Sequence, residues 1–307
     1  MKLKYDFAAK GKLINIRGKK LYVETHGSPE NKPILYLHGG PGESCYDFSF
    51  HQAERLKDSL YLISLDQRGV CRSEVITEEE HFRLSDLIED CEELRKVLQI
   101  EKWSVIGHSF GGFLALLYAV TYPNSIAKII FEGPTFDFAL TSRALLQKTG
   151  TLLIKYGKEE HAKECLDLAA SNASSEELLE AYIRLSGELA ENRMEIYSYK
   201  EDKTDKTDDS LYSYEEWEEF SSRSQIHFVR LKEEGEIYKS LLSKLKEVKS
   251  PMLLLVGQHD AVTCEKQILT FNQDTQNGKY IVFEESGHTP HYEEADRFAE
   301  TVIHFLK

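Results

Sequence analysis

Three features of the sequence predict an α/β fold with a mostly parallel central sheet, helices on both faces and an inserted helical cap. From KLINI at 12–16 to KIIFEG at 128–133, short apolar runs alternate with segments of helical period. The pattern then turns helical, polar and charge-rich until about Lys249, and the strand signal resumes at PMLLLVG. These changes divide the chain into a core of 1–133 and 250–307 and a cap of 134–249. At 307 residues the chain can bury a substantial core without disulfides, and a second catalytic domain is not expected.

The elements follow in order. KLINI and KLYVETHG flank a tight turn at Arg17, Gly18 and Lys19, so the sheet should open antiparallel. ILYLHG and LYLISLD are the next strands, with a crossover helix expected over 48–58. A second helix is expected over 84–99, where Leu84, Leu87, Ile88, Cys91, Leu94 and Leu98 share one face. WSVIG reads as a buried strand and 110–122 as a helix stopped by Pro123. KIIFEG, PMLLLVG and KYIVFEE complete the strands, and ADRFAETVIHFL closes the chain as a helix. Inside the cap, KEDKTDKTDDS at 200–210 has no apolar periodicity and should be a solvated loop.

Composition narrows the function. A formal net charge of -14 argues against nucleic acid and anionic membranes, which need a basic face, and points to a small ligand. The N-terminal MKLKYDFAAKGKL lacks the apolar stretch of a signal peptide, and the longest apolar run, FLALLYAV, is far shorter than the roughly 20 residues that span a bilayer. A soluble, cytoplasmic protein is therefore expected. Cysteines 45, 71, 91, 165 and 264 form no CxxC pair and show no metal-ligand spacing, which fits reduced bystander thiols.

The sharpest chemical signal is Gly107-His108-Ser109-Phe110-Gly111 between WSVI and the following helix. A nucleophilic serine at such a turn needs small residues two positions to either side, and the helix N-terminus aims backbone N–H groups at developing negative charge. Ser109 is thus the candidate nucleophile and the Phe110 amide one oxyanion donor. The glycine-rich loop ending ILYLHGGPGES offers Gly40 as the second donor, although glycine and proline also mark ordinary turns. The acid and the base should follow in that order in loops at the carboxyl ends of strands, which selects Asp260 after MLLLVG and His288 after YIVFEE. Asp274, which no strand leads into, is a weaker rival acid; His259 and His291 are weaker rival bases; His108 is expected only to pack beside the turn. These roles need no metal or organic cofactor.

The chain resembles the proline iminopeptidases and related amino-acid-releasing hydrolases, a branch of the α/β-hydrolase fold. HGGPG at 38–42, DQRGVCRS at 66–73 and GHSFGG at 107–112 carry the likeness. The resemblance implies an α/β-hydrolase core and an oxyanion hole formed by Gly40 and Phe110. It also implies a cap carboxylate that receives the substrate's amino group: the aromatic-xx-Trp-Glu element at Tyr214 to Glu218 makes Glu218 the candidate, against the plainer reading of a charged helix face. Cys71 stands where the branch has a second glycine, His108 and Phe110 where it has glycine and tryptophan, and Gln225 where it has a second acid, which weakens the implied amine site.

The leading expectation is therefore an aminopeptidase acting on a small-molecule or short-peptide substrate. A carboxylesterase or lactonase using the same residues on neutral substrates is the nearest alternative, because scaffold and nucleophile do not fix the leaving group. A noncatalytic ligand-binding protein on the same fold is the alternative of another class.

Overall fold

The computed structural model describes residues 11–199 and 207–307. Eight strands form one sheet in the order β1 (Lys12–Ile16), β2 (Lys19–His26), β4 (Leu60–Leu65), β3 (Lys32–Leu37), β5 (Trp103–His108), β6 (Ile126–Glu132), β7 (Met252–Gly257) and β8 (Gly278–Phe283). β2 pairs antiparallel with both β1 and β4, and all other pairs are parallel, as the opening hairpin predicts. Arg17 and Gly18 both take positive φ in that hairpin turn, matching the right-handed twist of its strands.

The central strands read as unbroken apolar runs because both of their faces are covered. β5 and β7 are buried along their whole length. Alternate residues go to opposite sides. Leu35, Leu37, Val105, Ile129 and Phe131 join one apolar cluster, while Ile34, Tyr36, Ile106 and Ile130 join another. The first cluster takes in Leu87, Cys91 and Leu94 of α2 (Leu84–Val97) and Phe113, Leu114 and Leu116 of α3 (Phe110–Thr121). The second takes in Phe48, Ala53 and Leu56 of α1 (Tyr46–Leu56) and Phe298, Ala299 and Val302 of the C-terminal helix Ala295–Leu306. The strand order reverses between β3 and β5, whose ends pair as Leu37 with Gly107. Loops leaving the carboxyl ends of these two strands therefore meet at a switch point, where open α/β sheets bind ligands.

Between β6 and β7, which are neighbours in the sheet, the chain makes a helical excursion. It holds α4 (Phe138–Lys155), α5 (Glu159–Ala170), α6 (Ser175–Ser186), α7 (Tyr214–Glu234) and short 3-10 turns. Leu145, Leu146, Leu178 and Leu185 continue the first apolar cluster, so the excursion shares the core beneath it. We keep the division into core and cap at 134–249 as a proposal. Of the loop expected at 200–210, residues 200–206 lie outside the described residues, and Asp209–Leu211 forms a 3-10 turn. One crossover helix escaped the sequence reading: α8 (Glu265–Asp274) links β7 to β8, and Asp274 closes it rather than ending a strand. His291 sits in a separate short helix, α9 (Pro290–Glu293), just before α10 (Ala295–Leu306).

Candidate active site

Ser109 stands between β5 and α3 with φ 54 and ψ -118, a left-handed conformation that costs a non-glycine residue of order 1–3 kcal/mol and is held only when its surroundings dictate it. Here they do. The Ser109 amide donates to the Glu132 carbonyl at 3.0 Å, and its carbonyl accepts from Gly112 at 2.9 Å. A Cβ on Gly107 would lie 2.3 Å from the Gly111 carbonyl oxygen, and one on Gly111 would lie 2.0 Å from the Leu37 carbonyl oxygen. Both positions thus exclude any side chain, the physical reason for the small residues flanking the serine.

Asp260 and His288 arrive from separate strand ends and meet. His288 Nδ1 lies 3.1 Å from Asp260 Oδ1, and the carboxyl group is wholly buried. Asp260 is held in turn by the amides of Val262 at 2.7 Å and Thr263 at 3.4 Å. An ionised carboxylate only accepts hydrogen bonds, so His288 donates through Nδ1 and its Nε2 keeps the lone pair of a base. Burial opposes charging this ring, yet the charge and hydrogen bond of Asp260, with Glu43 and Glu132, leave its pKa raised above 6.5. The His288 ring lies 4.6 Å from that of His108, the residue preceding Ser109. Ser109 Oγ makes no hydrogen bond among the described residues, with His288 or otherwise. Such contacts often tighten only around substrate.

The HGGPG loop lies alongside. A Cβ on Gly39 would be 2.9 Å from Ser109 Cβ, so this backbone runs against the serine. Gly40 adopts φ +106. Neither the Gly40 nor the Phe110 amide donates a hydrogen bond among the described residues, leaving two N–H groups free near Ser109. The DQRG segment braces this loop. His38 Nε2 accepts from the Gln67 amide at 2.9 Å, and burial lowers the ring's pKa to about 4, so it stays neutral. Asp66 accepts from the Cys45 amide at 2.9 Å and from Arg72 Nε at 2.6 Å, and Arg72 also reaches Glu24 at 2.9 Å. Cys71 takes the positive φ, 47, that its glycine counterpart would adopt without strain.

Glu218 is exposed on α7, with no ion pair or hydrogen bond among the described residues. Its neighbours are absorbed by structure. Glu216 completes the capping box with Ser213, and Trp217 packs against Tyr46 and Tyr212. Gln225 is exposed on the same helix. His259 stacks on Tyr199 at 3.6 Å.

Sequence reasoning missed a buried charged network behind His288. His291 Nδ1 contacts Glu132 Oε1 at 2.8 Å and Nε2 contacts Asp47 Oδ2 at 3.0 Å, which outweighs desolvation and raises its pKa to about 10. His108 Nδ1 lies 3.6 Å from Glu132 Oε2. His108, Glu132 and His291 offer three ligand atoms within 4.8 Å of one another. Both ring nitrogens of His291 face carboxylates, so in this arrangement ion pairs join the cluster. The only hints in the sequence were an acid one turn past HGGPG and a second histidine after SGH.

Comparison with known proteins defines the class. Residues 32–295 match the family described as alpha/beta hydrolase fold, and the chain belongs to it. It is a hydrolase. Within that class it is similar to a proline iminopeptidase of Heyndrickxia coagulans, 26% identical over 277 residues, covering 89% of this chain and 90% of the relative. A putative proline iminopeptidase of Mycoplasma pneumoniae is 38% identical over 130 residues, a match spanning 40% of this chain and only 40% of that relative. Among solved structures, a proline iminopeptidase-related protein from Thermus thermophilus superposes with TM-score 0.72 at 21% identity, covering 95% of each chain, and so shows the shared fold. Among the described residues, no helix is long and apolar enough to cross a membrane.

Proposed function

We propose that this chain is a serine aminopeptidase that releases an N-terminal amino acid from small peptides or amino-acid amides. The observation that carries this reading is the strained Ser109 turn beside the Asp260–His288 pair at one sheet edge. In the proposed cycle His288 Nε2 takes the Ser109 proton as Oγ bonds to the substrate carbonyl carbon. The amides of Gly40 and Phe110 receive the oxyanion, each worth roughly 3–4 kcal/mol of transition-state stabilisation. The C–N bond then breaks, and His288 passes its proton to the departing amine. Water, deprotonated by His288, attacks the acyl-enzyme, the bond between the acyl carbon and Ser109 Oγ breaks, and His288 returns the proton to Oγ as the carboxylic product leaves. Asp260 stays ionised and holds the imidazole in the basic tautomer.

The aminopeptidase part of the proposal draws on similarity to proline iminopeptidases along nearly the whole chain. Glu218 stays in the proposal as a substrate-binding carboxylate, exposed on α7, that would favour a substrate with a free amino group. The five free cysteines fit the reducing cytoplasm in which we place the protein. A panel of amino-acyl arylamides, their N-acetylated forms and short neutral esters tests the reading. Turnover concentrated on the free-amine arylamides supports it; turnover of esters alone would make the protein an esterase or lactonase.

A further inference from the structure

We propose that the Glu43 carboxylate, directly after the HGGPG loop, receives the α-ammonium group of the residue being released. This deepens the aminopeptidase reading and rests on Ser109 being the nucleophile. Glu43 Oε2 and Ser109 Cβ both lie 2.9 Å from the point where a Cβ on Gly39 would sit, so they are separated by no more than twice that distance. Covalent geometry sets what this spacing can serve. In an N-terminal residue the amine nitrogen is about 2.5 Å from the carbonyl carbon, two bonds away. That carbon is attacked from about 3 Å, and a charge-assisted N–H···O bond to a carboxylate spans about 2.8 Å. A carboxylate oxygen at the separation found for Glu43 can therefore hold the ammonium while Ser109 Oγ faces the carbonyl.

The carboxylate is also uncommitted. Glu43 is exposed, and its side chain forms no hydrogen bond or ion pair among the described residues. Protein crowded around it raises its pKa, with His288 opposing, Asp47 adding to the rise and His291 opposing. A carboxylate in such a place disfavours the negative charge that develops on the substrate during attack at Ser109, unless a cation lies beside it. A substrate that carries its own ammonium supplies that cation, and a neutral ester or N-acetylated substrate does not. The same residue thus rewards the free amine and penalises its absence, which is how specificity is built from a difference between two ligands.

The test uses the purified full chain and its Glu43→Gln variant on an alanyl arylamide, its N-acetylated form and a short neutral ester. For the free-amine arylamide, Glu43→Gln should lower kcat/KM by roughly 10- to 150-fold, the range expected for losing a hydrogen bond to a charged group. For the neutral ester it should raise kcat/KM. Glu43→Asp, which keeps the charge on a shorter stem, should restore part of the arylamide activity. An arylamide rate unchanged in Glu43→Gln, or an equal fall on all three substrates, would overturn the assignment. Failure of the underlying reading shows elsewhere: wild-type protein that cleaves the ester but no arylamide refutes the aminopeptidase itself, and the anchor with it. Labelling of Ser109 by a neutral fluorophosphonate in both proteins separates loss of the anchor from loss of the nucleophile.

Discussion

Replacing Asp260 with asparagine changes one atom at the 3.1 Å contact with His288 and should nearly abolish turnover. The asparagine amide can donate to His288 Nδ1, which moves the ring proton to Nε2, where a base is needed; an equivalent change in a Ser-His-Asp hydrolase lowers kcat by about 10⁴-fold. At ~1.36 kcal/mol per tenfold, that corresponds to about 5.4 kcal/mol of transition-state stabilisation. The fold should tolerate the change. Because Oδ1 of Asp260 serves both His288 and the Val262 amide, an asparagine nitrogen turned to His288 leaves Val262 without its acceptor while the oxygen keeps Thr263, a loss of about 1–3 kcal/mol in the hold on one loop. The charge also supports the raised His288 pKa, so any residual activity should show its acid limb at lower pH than wild type. The assay is kcat/KM on an amino-acyl arylamide across pH, with a thermal melt as the control for folding. A folded variant within tenfold of wild type would refute Asp260 as the orienting acid and direct attention to Glu132.

Three further outcomes follow from the same geometry. Wild-type kcat/KM should fall on acidification through a pKa above 6.5, because protonated His288 cannot accept the serine proton; a profile flat well below that value would contradict the assignment. Gly111→Ala should destabilise the protein by roughly 3 kcal/mol or more, read from denaturant midpoints, because the new methyl would lie 2.0 Å from the Leu37 carbonyl oxygen; an unchanged midpoint would mean this turn is far softer than its packing implies. His291 has a folded pKa of about 10, raised from 6.5, so its contribution to stability is complete below 6.5 and is lost as pH rises through 10. Denaturant midpoints of wild type should decline across that window more steeply than those of His291→Gln, and parallel curves would contradict the buried imidazolium.

Much of the scaffold could be read from the sequence because its rules are local. Central strands covered on both faces must be apolar throughout, as in WSVI and MLLLV, and the closing helix spans the residues its periodicity predicts. Ser109, Asp260 and His288 stand out as candidates in the sequence because each follows a strand, and the sheet brings Asp260 and His288 into contact from distant parts of the chain. Gly39 gave no separate signal, since only three-dimensional packing distinguishes the glycine touching Ser109 from its neighbours. The acidic groups were the least legible. With 52 aspartates and glutamates in the chain, one more carboxylate carries no information until its surroundings are known. Glu43 and Glu132 emerge only from what surrounds them, one uncommitted beside the serine and one buried beneath His108. Glu218 had a motif to recommend it, but the local demands of starting a helix explain the acid-rich stretch around it equally well. The helix α8 was missed because Glu265 to Asp274 buries only Gln267 and Phe271, too few positions to show a period.

Intact mass measurement after exposure to an alkyl fluorophosphonate tests most directly whether Ser109 is an activated nucleophile. Wild-type protein should gain a single phosphonyl adduct that peptide mapping places on Ser109, and His288→Ala should slow its formation sharply. An adduct that forms equally well on Ser109→Ala, or no adduct on folded wild type, would contradict the account.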